Sequence, residues 1–149
     1  MRYRAPEPAT ADRRRERRPQ RVLVVDDNDA IRELWHTYLT LSGFAVTEAV
    51  NGVDAIERVV QAVPAAIIID FSMPVMNGAD AVRTLRHHPW TATTPVIGLT
   101  GHGADPSTRE FRRVCDTVLE KPIEAEALLD ALRDLLRRGL RRRSECPEV

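Results

Sequence analysis

The sequence predicts an α/β protein in which a doubly wound, parallel five-stranded sheet carries helices on both faces. Two patterns predict this fold. Short apolar runs alternate along the chain with segments in which apolar residues recur every three or four positions, and these are the signatures of buried strands and amphipathic helices. The apolar runs are also continuous, as in Ala66-Ile67-Ile68-Ile69, which is typical of parallel strands covered on both faces.

Five strands and five helices can be placed in order along the chain. The strands are expected at residues 22–25, 44–47, 66–69, 95–99 and 117–119. Helical spacing is expected over residues 31–39, 53–60, 81–85, about 107–114 and about 124–138. Ser42-Gly43, Pro64 and Asn77-Gly78 supply stop and turn signals between elements. Because crossovers between parallel strands are right-handed, few strand orders remain, and five strands suit the flavodoxin-like order 2-1-3-4-5.

Charged residues divide the chain into three parts. The net charge is zero, yet residues 1–21 hold eight arginines against three acidic residues, and residues 133–149 hold six against three. The body between these ends is therefore acidic. We expect a disordered basic arm over residues 1–20, one domain over residues 21–138 and a short C-terminal tail over residues 139–149. An acidic body argues against a dedicated DNA-binding domain, in which positive charge would lie on the folded surface.

No segment of the sequence predicts a membrane span. The longest candidate, residues 62–69, has eight residues and contains Pro64, whereas a spanning helix needs roughly 20. No apolar run follows the basic N-terminus, so no secretory signal is expected. Cys115 and Cys146 show no motif spacing and are expected to be free thiols in a reducing compartment. These patterns predict a cytoplasmic location.

Charged and polar residues follow four of the predicted strands. Asp26-Asp27 end the first strand, Asp70 ends the third, Thr100 ends the fourth, and the fifth runs into Lys121, the only lysine in the chain. Ligands of such sheets bind beyond the carboxyl ends of the strands, and strands 1 and 3 are neighbours in the proposed order, so the carboxylates are expected to converge. Three neighbouring negative charges are costly unless a cation neutralises them. Oxygen ligands at an exposed sheet edge suit Mg²⁺.

Together these groups predict a phosphoryl-transfer site. Asp70 is the best candidate for the nucleophile, because it ends the central strand and a loop follows it. One of its carboxylate oxygens would attack phosphorus in line, while the metal neutralises charge on the transferred group. The oxygens of the aspartyl phosphate would then be shared among Mg²⁺, Lys121 and the hydroxyl of Thr100.

Four sequence blocks resemble the receiver domains of two-component response regulators. The blocks are Val24-Val25-Asp26-Asp27-Asn28, Ile69-Asp70-Phe71-Ser72-Met73-Pro74-Val75-Met76-Asn77-Gly78, Leu99-Thr100 and Glu120-Lys121-Pro122. The resemblance spans about residues 21–138. It implies that Asp70 is phosphorylated by the phosphohistidine of a histidine kinase or of a histidine phosphotransfer protein. It also implies a cis peptide bond between Lys121 and Pro122, which X-Pro bonds allow.

The resemblance further implies a metal site and an output. Mg²⁺, or Mn²⁺ in its place, would be held by Asp26, Asp27, Asp70 and the backbone carbonyl of Ser72, while Lys121 would bridge to the phosphoryl group. The phosphorylated form would signal by conformational change to a downstream protein target. The residues outside the domain leave no room for an output domain, so we expect a stand-alone response regulator rather than a classical enzyme.

Two positions depart from the family pattern. Receiver domains usually carry an aromatic residue three positions before the lysine, and its ring moves inward when the threonine moves. That position is Val118 here, and Gly101 follows Thr100 where alanine is commoner. The aromatic half of the usual switch is therefore missing. We expect the pliable segment 101–106 and the helix after it to rearrange instead.

Two other functions are compatible with parts of the same pattern. A phosphatase with an aspartyl nucleophile would need a second acid two residues later, as general acid for the leaving group, and the sequence has Ser72 there. A receiver-like protein-interaction module that signals without phosphorylation is favoured by Val118. Leu132, Leu136 and Leu140 could extend the last helix into the seam of a weak dimer, but core packing followed by fraying of the helix explains them better.

Overall fold

The computed structural model describes residues 18–145, so residues 1–17 of the predicted basic arm lie outside the described part. The strands are β1 (Arg21–Val25), β2 (Ala45–Ala49), β3 (Ala66–Asp70), β4 (Val96–Thr100) and β5 (Thr117–Glu120). The helices are α1 (Asp29–Leu41), α2 (Gly52–Gln61), α3 (Gly78–Arg86), α4 (Arg109–Val114) and α5 (Ala125–Glu145), with a 3₁₀ turn at Pro106–Thr108 before α4. Within these residues, no helix is long and apolar enough to cross a membrane.

The five strands form one parallel sheet in the order β2-β1-β3-β4-β5, which confirms the predicted fold and strand order. The register places Val25 beside Ile69, and Asp70 beside Leu99 of β4. Consequently Asp26, Asp70 and Thr100 all lie along the edge of the sheet at which the strands end.

The sheet separates two hydrophobic clusters, to which alternate residues of each strand contribute. Leu23, Ile67 and Ile69 face the cluster that contains Phe111 of α4, whereas Ile68 faces the cluster that contains α1 and α5. All five residues of β3 are buried. Each fully buried isoleucine contributes about 1.5–3 kcal/mol by leaving water. The strand that ends in Asp70 is therefore firmly held from both faces.

Asparagine side chains begin the three helices that follow β1, β2 and β3. The side chains of Asn28, Asn51 and Asn77 accept hydrogen bonds from the N–H groups of the residues three positions later, at 3.1, 2.8 and 2.9 Å. Each bond satisfies one of the N–H groups that the first turn of a helix leaves without a partner. The caps therefore fix where each chain segment turns from the carboxyl edge of the sheet into its helix.

Helix α5 is longer than the sequence pattern predicts. The expected end near Arg138 is wrong, because the helix continues to Glu145. Leucine and arginine favour helices, and a single glycine such as Gly139 costs only about 1 kcal/mol. Leu132 and Leu136 are buried in the cluster that contains α1 and α5, so these two residues belong to the core. The division of the chain into arm, domain and tail remains a prediction.

Candidate functional site

Three carboxylates meet at the carboxyl edge of the sheet. Asp26 and Asp27 follow β1, and Asp70 is the last residue of β3. One carboxylate oxygen from each of the three side chains lies within 4.8 Å of the other two. Asp26 and Asp70 are buried, and Asp27 is exposed. The structure thus brings together the three acids that the sequence places at strand ends, in a shallow cluster that is open on the side of Asp27.

The Asp26 carboxylate is buried, and only one of its two oxygens accepts a hydrogen bond in the described structure. Its side chain is 2% exposed, and Oδ1 accepts a hydrogen bond from the Asn28 N–H at 2.8 Å. Among the described residues, Oδ2 of Asp26 has no hydrogen-bond partner. Burial raises the pKa of Asp26, and the Asn28 N–H offsets this only in part. A buried, partnerless carboxylate oxygen beside two further carboxylates is the donor arrangement that a hard divalent cation satisfies.

Asp70 forms an ion pair with Lys121. The Lys121 Nζ lies 2.9 Å from Oδ1 of Asp70, whose residue is 5% exposed. Burial raises the pKa of Asp70, while the hydrogen bond from the Lys121 ammonium acts in the opposite direction. The lysine therefore supplies one positive charge to a site with three acids, which leaves negative charge for a cation to neutralise.

The carboxyl ends of β4 and β5 position Thr100 and Lys121. The backbone N–H of Lys121 donates to the carbonyl of Thr100 at 2.8 Å, and the Lys121–Pro122 peptide bond is cis, as expected. The Thr100 side chain is fully buried. Its hydroxyl oxygen accepts a hydrogen bond from the backbone N–H of His102 at 3.1 Å. The hydroxyl is thus tied to the loop between β4 and α4.

The loop after Asp70 folds back onto the end of β3. The backbone N–H of Gly78 donates to the carbonyl of Phe71 at 2.9 Å, which closes the loop around Ser72 and Val75. A Cβ atom on Gly78 would lie 2.4 Å from the carbonyl oxygen of Asp70, so no larger residue fits there. Val75 is exposed and has a φ of 72°, a strained value for a β-branched residue. The role of the Ser72 carbonyl as a metal ligand remains a prediction.

The position of the missing aromatic residue is filled by a small apolar side chain. Val118 is partly buried and packs against the cluster that contains Phe111. An aromatic group lies nearby instead: the Phe71 ring centroid is 5.1 Å from that of Phe111 and 5.8 Å from that of His102. Sequence reasoning did not find this group, although Phe71 directly follows Asp70 and His102 lies two positions after Thr100.

Sequence reasoning also missed Arg32, which contacts the backbone of Asp26. Its guanidinium donates to the backbone carbonyl of Asp26 at 2.9 Å and to the Glu48 carboxylate at 3.0 Å. The spacing of Arg32 from Asp26 could have indicated this, because a residue six positions after Asp26 lies near the start of the helix that follows the acids. The spacing alone does not specify which atom the guanidinium contacts.

Comparison with known proteins identifies the family of this site and fold. The sequence matches the response regulator receiver domain family over residues 22–133, which is most of the chain. The chain belongs to this family. Receiver domains are phosphoryl-accepting modules of two-component signalling, they bind Mg²⁺ in an acidic pocket, and they interact with histidine kinases and downstream effectors.

Two similar proteins show how much of each chain the similarity covers. This chain is 34% identical over 119 residues to the DNA-binding dual master transcriptional regulator RpaA from Synechocystis, and the match covers 79% of this chain but 49% of that protein. It also resembles the solved structure of the chemotaxis response regulator CheY4 from Vibrio cholerae, with a TM-score of 0.73 and 31% identity, covering 78% of this chain and 98% of that one. The chain spans about half the length of the curated relatives it matches.

A third structure resembles the fold at lower identity. It is the receiver domain of the sensor histidine kinase PA1611 from Pseudomonas aeruginosa, with a TM-score of 0.76 and 24% identity, covering 80% of this chain and 98% of that one. That structure holds a magnesium ion coordinated in its active site cleft. At this level of identity, the likeness concerns the fold alone.

Proposed function

We propose that this protein acts as a response regulator receiver in a two-component or phosphorelay system. Asp70 accepts a phosphoryl group from a phosphohistidine donor in a Mg²⁺-dependent reaction, and the phosphorylated form signals to a protein partner. The single observation that carries the proposal is the buried Oδ2 of Asp26, which lacks a hydrogen-bond partner in the described structure and lies in a cluster of three carboxylates.

The donor set fits a hard divalent cation. Asp26, Asp27 and Asp70 each offer a carboxylate oxygen within 4.8 Å of the others, and the backbone carbonyl of Ser72 is the fourth proposed ligand. Mg²⁺ tolerates few protein ligands and retains several waters, which suits a site whose third acid, Asp27, is exposed. When bound there, Mg²⁺ or Mn²⁺ supplies positive charge against the phosphoryl oxygens.

The covalent step uses the carboxylate of Asp70 as nucleophile. One of its oxygens forms a bond to phosphorus while the bond from phosphorus to the donor imidazole nitrogen breaks, and the imidazole leaves with the electron pair. Lys121 is placed to follow the negative charge, since its ammonium lies 2.9 Å from the carboxylate that becomes esterified. The buried hydroxyl of Thr100 donates a hydrogen bond to a phosphoryl oxygen in the product.

The contacts of Thr100 support a route for the signal that needs no aromatic residue at position 118. The Thr100 hydroxyl accepts from the His102 N–H at 3.1 Å, and the His102 ring packs edge-on against Phe71. Phe71 in turn contacts Phe111 of α4. A hydroxyl that turns toward a phosphoryl group releases the His102 amide, so the loop between β4 and α4 shifts and the packing of α4 changes with it.

Intact-mass measurement tests the proposal directly. The full chain is incubated with Mg²⁺ and an acyl phosphate as small-molecule donor, with Asp70→Asn as the matched variant. We expect the wild-type mass to increase by one phosphoryl group, and we expect no increase in Asp70→Asn or with EDTA in place of Mg²⁺. No increase in the wild-type protein would contradict the proposal.

A second function is favoured by one observation, the aliphatic Val118 at the switch position. In this alternative, the chain is a receiver-like protein-interaction module that acts without phosphorylation. The same mass measurement separates the two, because the module would gain no phosphoryl group on incubation with the acyl phosphate.

A further inference from the structure

Arg32 connects three parts of the chain at one end of the sheet. Its Nη1 donates to the backbone carbonyl of Asp26 at 2.9 Å, its Nε donates to Glu48 at 3.0 Å, and its Nη2 donates to Asp29 at 2.6 Å. The arginine side chain is only 13% exposed. The guanidinium therefore links the loop after β1, the first turn of α1 and the end of β2.

The carbonyl that Arg32 contacts belongs to Asp26, one of the proposed metal ligands. It belongs to the peptide unit between Asp26 and Asp27, so the orientation of this unit sets the direction in which both side chains leave the backbone. The Asp26 carboxylate is held separately, by the Asn28 N–H at 2.8 Å. Arg32 adds a contact to the backbone of the same residue, so the peptide plane is held as well as the side chain.

The anchor for Arg32 is itself held in place. Glu48 lies in β2 beside Val24 of β1, and its second carboxylate oxygen lies 3.0 Å from Nδ1 of His36. Two of the three hydrogen bonds of Arg32, to the Asp26 carbonyl and to Glu48, are partly buried, whereas the Asp29 carboxylate is exposed. A planar guanidinium loses little freedom for each bond it forms. Lysine at this position could reach one of the three acceptors but could not span them.

We infer that Arg32 is a positioning residue for the divalent cation: by holding the Asp26 carbonyl, it presets the two acids after β1 for Mg²⁺ binding. This inference rests on the proposed function. Residues that orient metal ligands without touching the metal typically change metal affinity by about 10- to 100-fold when they are replaced.

A purely electrostatic role for Arg32 predicts the opposite result. The guanidinium is a positive charge close to a cation site, so on charge alone its removal would strengthen Mg²⁺ binding. Replacement by lysine, which keeps the charge, would then change nothing. Arg32→Lys and Arg32→Gln therefore separate positioning from charge, because positioning predicts weaker binding in both variants.

The test is calorimetric titration of the full chain with MgCl₂, with urea unfolding in EDTA as a separate measure of stability. We expect the Kd for Mg²⁺ to rise roughly tenfold in Arg32→Lys and at least as much in Arg32→Gln. Arg86→Lys is the matched control. Arg86 is 20% exposed and donates to the carbonyls of Ala92, Thr94 and Val114 and to Asp116, at the opposite edge of the sheet. The Arg86→Lys substitution should lower the stability of the protein and leave the Kd for Mg²⁺ unchanged.

The possible outcomes distinguish this inference from the proposed function. A wild-type protein that binds no Mg²⁺ overturns the proposed function and the inference together. Wild-type binding that is unchanged or tighter in Arg32→Lys overturns the inference alone. An equal loss of affinity in Arg86→Lys also overturns it, since the effect would then follow general stability. If Arg32→Gln does not fold, Arg32→Lys decides the question.

Discussion

The ammonium of Lys121 and the carboxylate of Asp70 lie 2.9 Å apart at the ends of two strands that are separated by β4. Since Asp70 is almost fully buried, this ion pair is better protected from solvent than the surface pairs of the molecule. If an oxygen of Asp70 is esterified as proposed, the pair cannot persist unchanged, because the negative charge moves outward onto the phosphoryl group. Lys121 is therefore poised to report the chemical state of Asp70.

Replacing Lys121 with arginine separates phosphorylation from signalling. The larger guanidinium group of arginine keeps the positive charge but cannot place it at the position of the compact lysine ammonium. We expect Lys121→Arg to gain a phosphoryl group on incubation with Mg²⁺ and an acyl phosphate, as measured by intact mass. We expect the loop at His102 to respond less, as measured by amide hydrogen exchange before and after phosphorylation. A wild-type exchange response in the phosphorylated variant would contradict this role.

Replacing Asp26 with asparagine is expected to stabilise the metal-free protein. The carboxylate is buried, its pKa is raised above 3.8, and its Oδ2 has no hydrogen-bond partner among the described residues. Because the raised pKa means that the folded state favours the protonated acid, the wild type loses stability as the pH rises through that pKa. Asparagine removes the charge and keeps the acceptor for Asn28. The gain is expected to be about 1–3 kcal/mol at neutral pH and to shrink toward pH 4.

Urea unfolding in EDTA at several pH values measures that gain, and the same experiment with Mg²⁺ supplies the control. Mg²⁺ at 100 times its Kd is expected to add about 2.7 kcal/mol to the wild type and little to Asp26→Asn. Lower stability of Asp26→Asn in EDTA would show that the uncompensated charge is not the dominant cost.

Replacing two glycines near the site with alanine is expected to have very different effects on the stability of the protein. A Cβ on Gly78 would lie 2.4 Å from the carbonyl oxygen of Asp70 and 2.9 Å from the ring of Phe111, so Gly78→Ala must displace the end of β3. The cost is expected to be about 1–3 kcal/mol in urea unfolding, with weaker Mg²⁺ binding. Gly101→Ala is the control, since no heavy atom lies within 4 Å of its Cβ position. Equal stability of the two variants would contradict the clash.

Cys115 is expected to be chemically inert in the folded protein. It is buried in the cluster that contains Phe111, and burial raises the pKa of its thiol to about 12. The reactive species is the thiolate, so very little is available at pH 8. In a Cys146→Ser variant, a disulfide reagent at pH 8 should modify Cys115 only after urea is added. Rapid modification without urea would show that the thiol is accessible in the folded state.

The parts of the structure that follow from local pattern were predictable, and those that depend on long-range contacts were not. Continuous apolar runs and helical spacing predicted every strand and helix and the order of the sheet, and the strand order then placed Asp26 near Asp70. The contact of Arg32 with the Asp26 carbonyl depends on the packing of α1 against β2, which no residue pattern specifies. The end of α5 was misplaced by several residues, because the leucine and arginine residues on either side of Gly139 favour the helix and carry it to Glu145.

The sheet divides the hydrophobic core into two separate clusters. Phe71, Phe111 and Val118 all belong to the cluster on the α2, α3 and α4 side, whereas α1 and α5 pack on a separate cluster across β3. The five buried residues of β3 lie between the two clusters. If the protein works as proposed, substitutions in one cluster need not disturb the packing of the other.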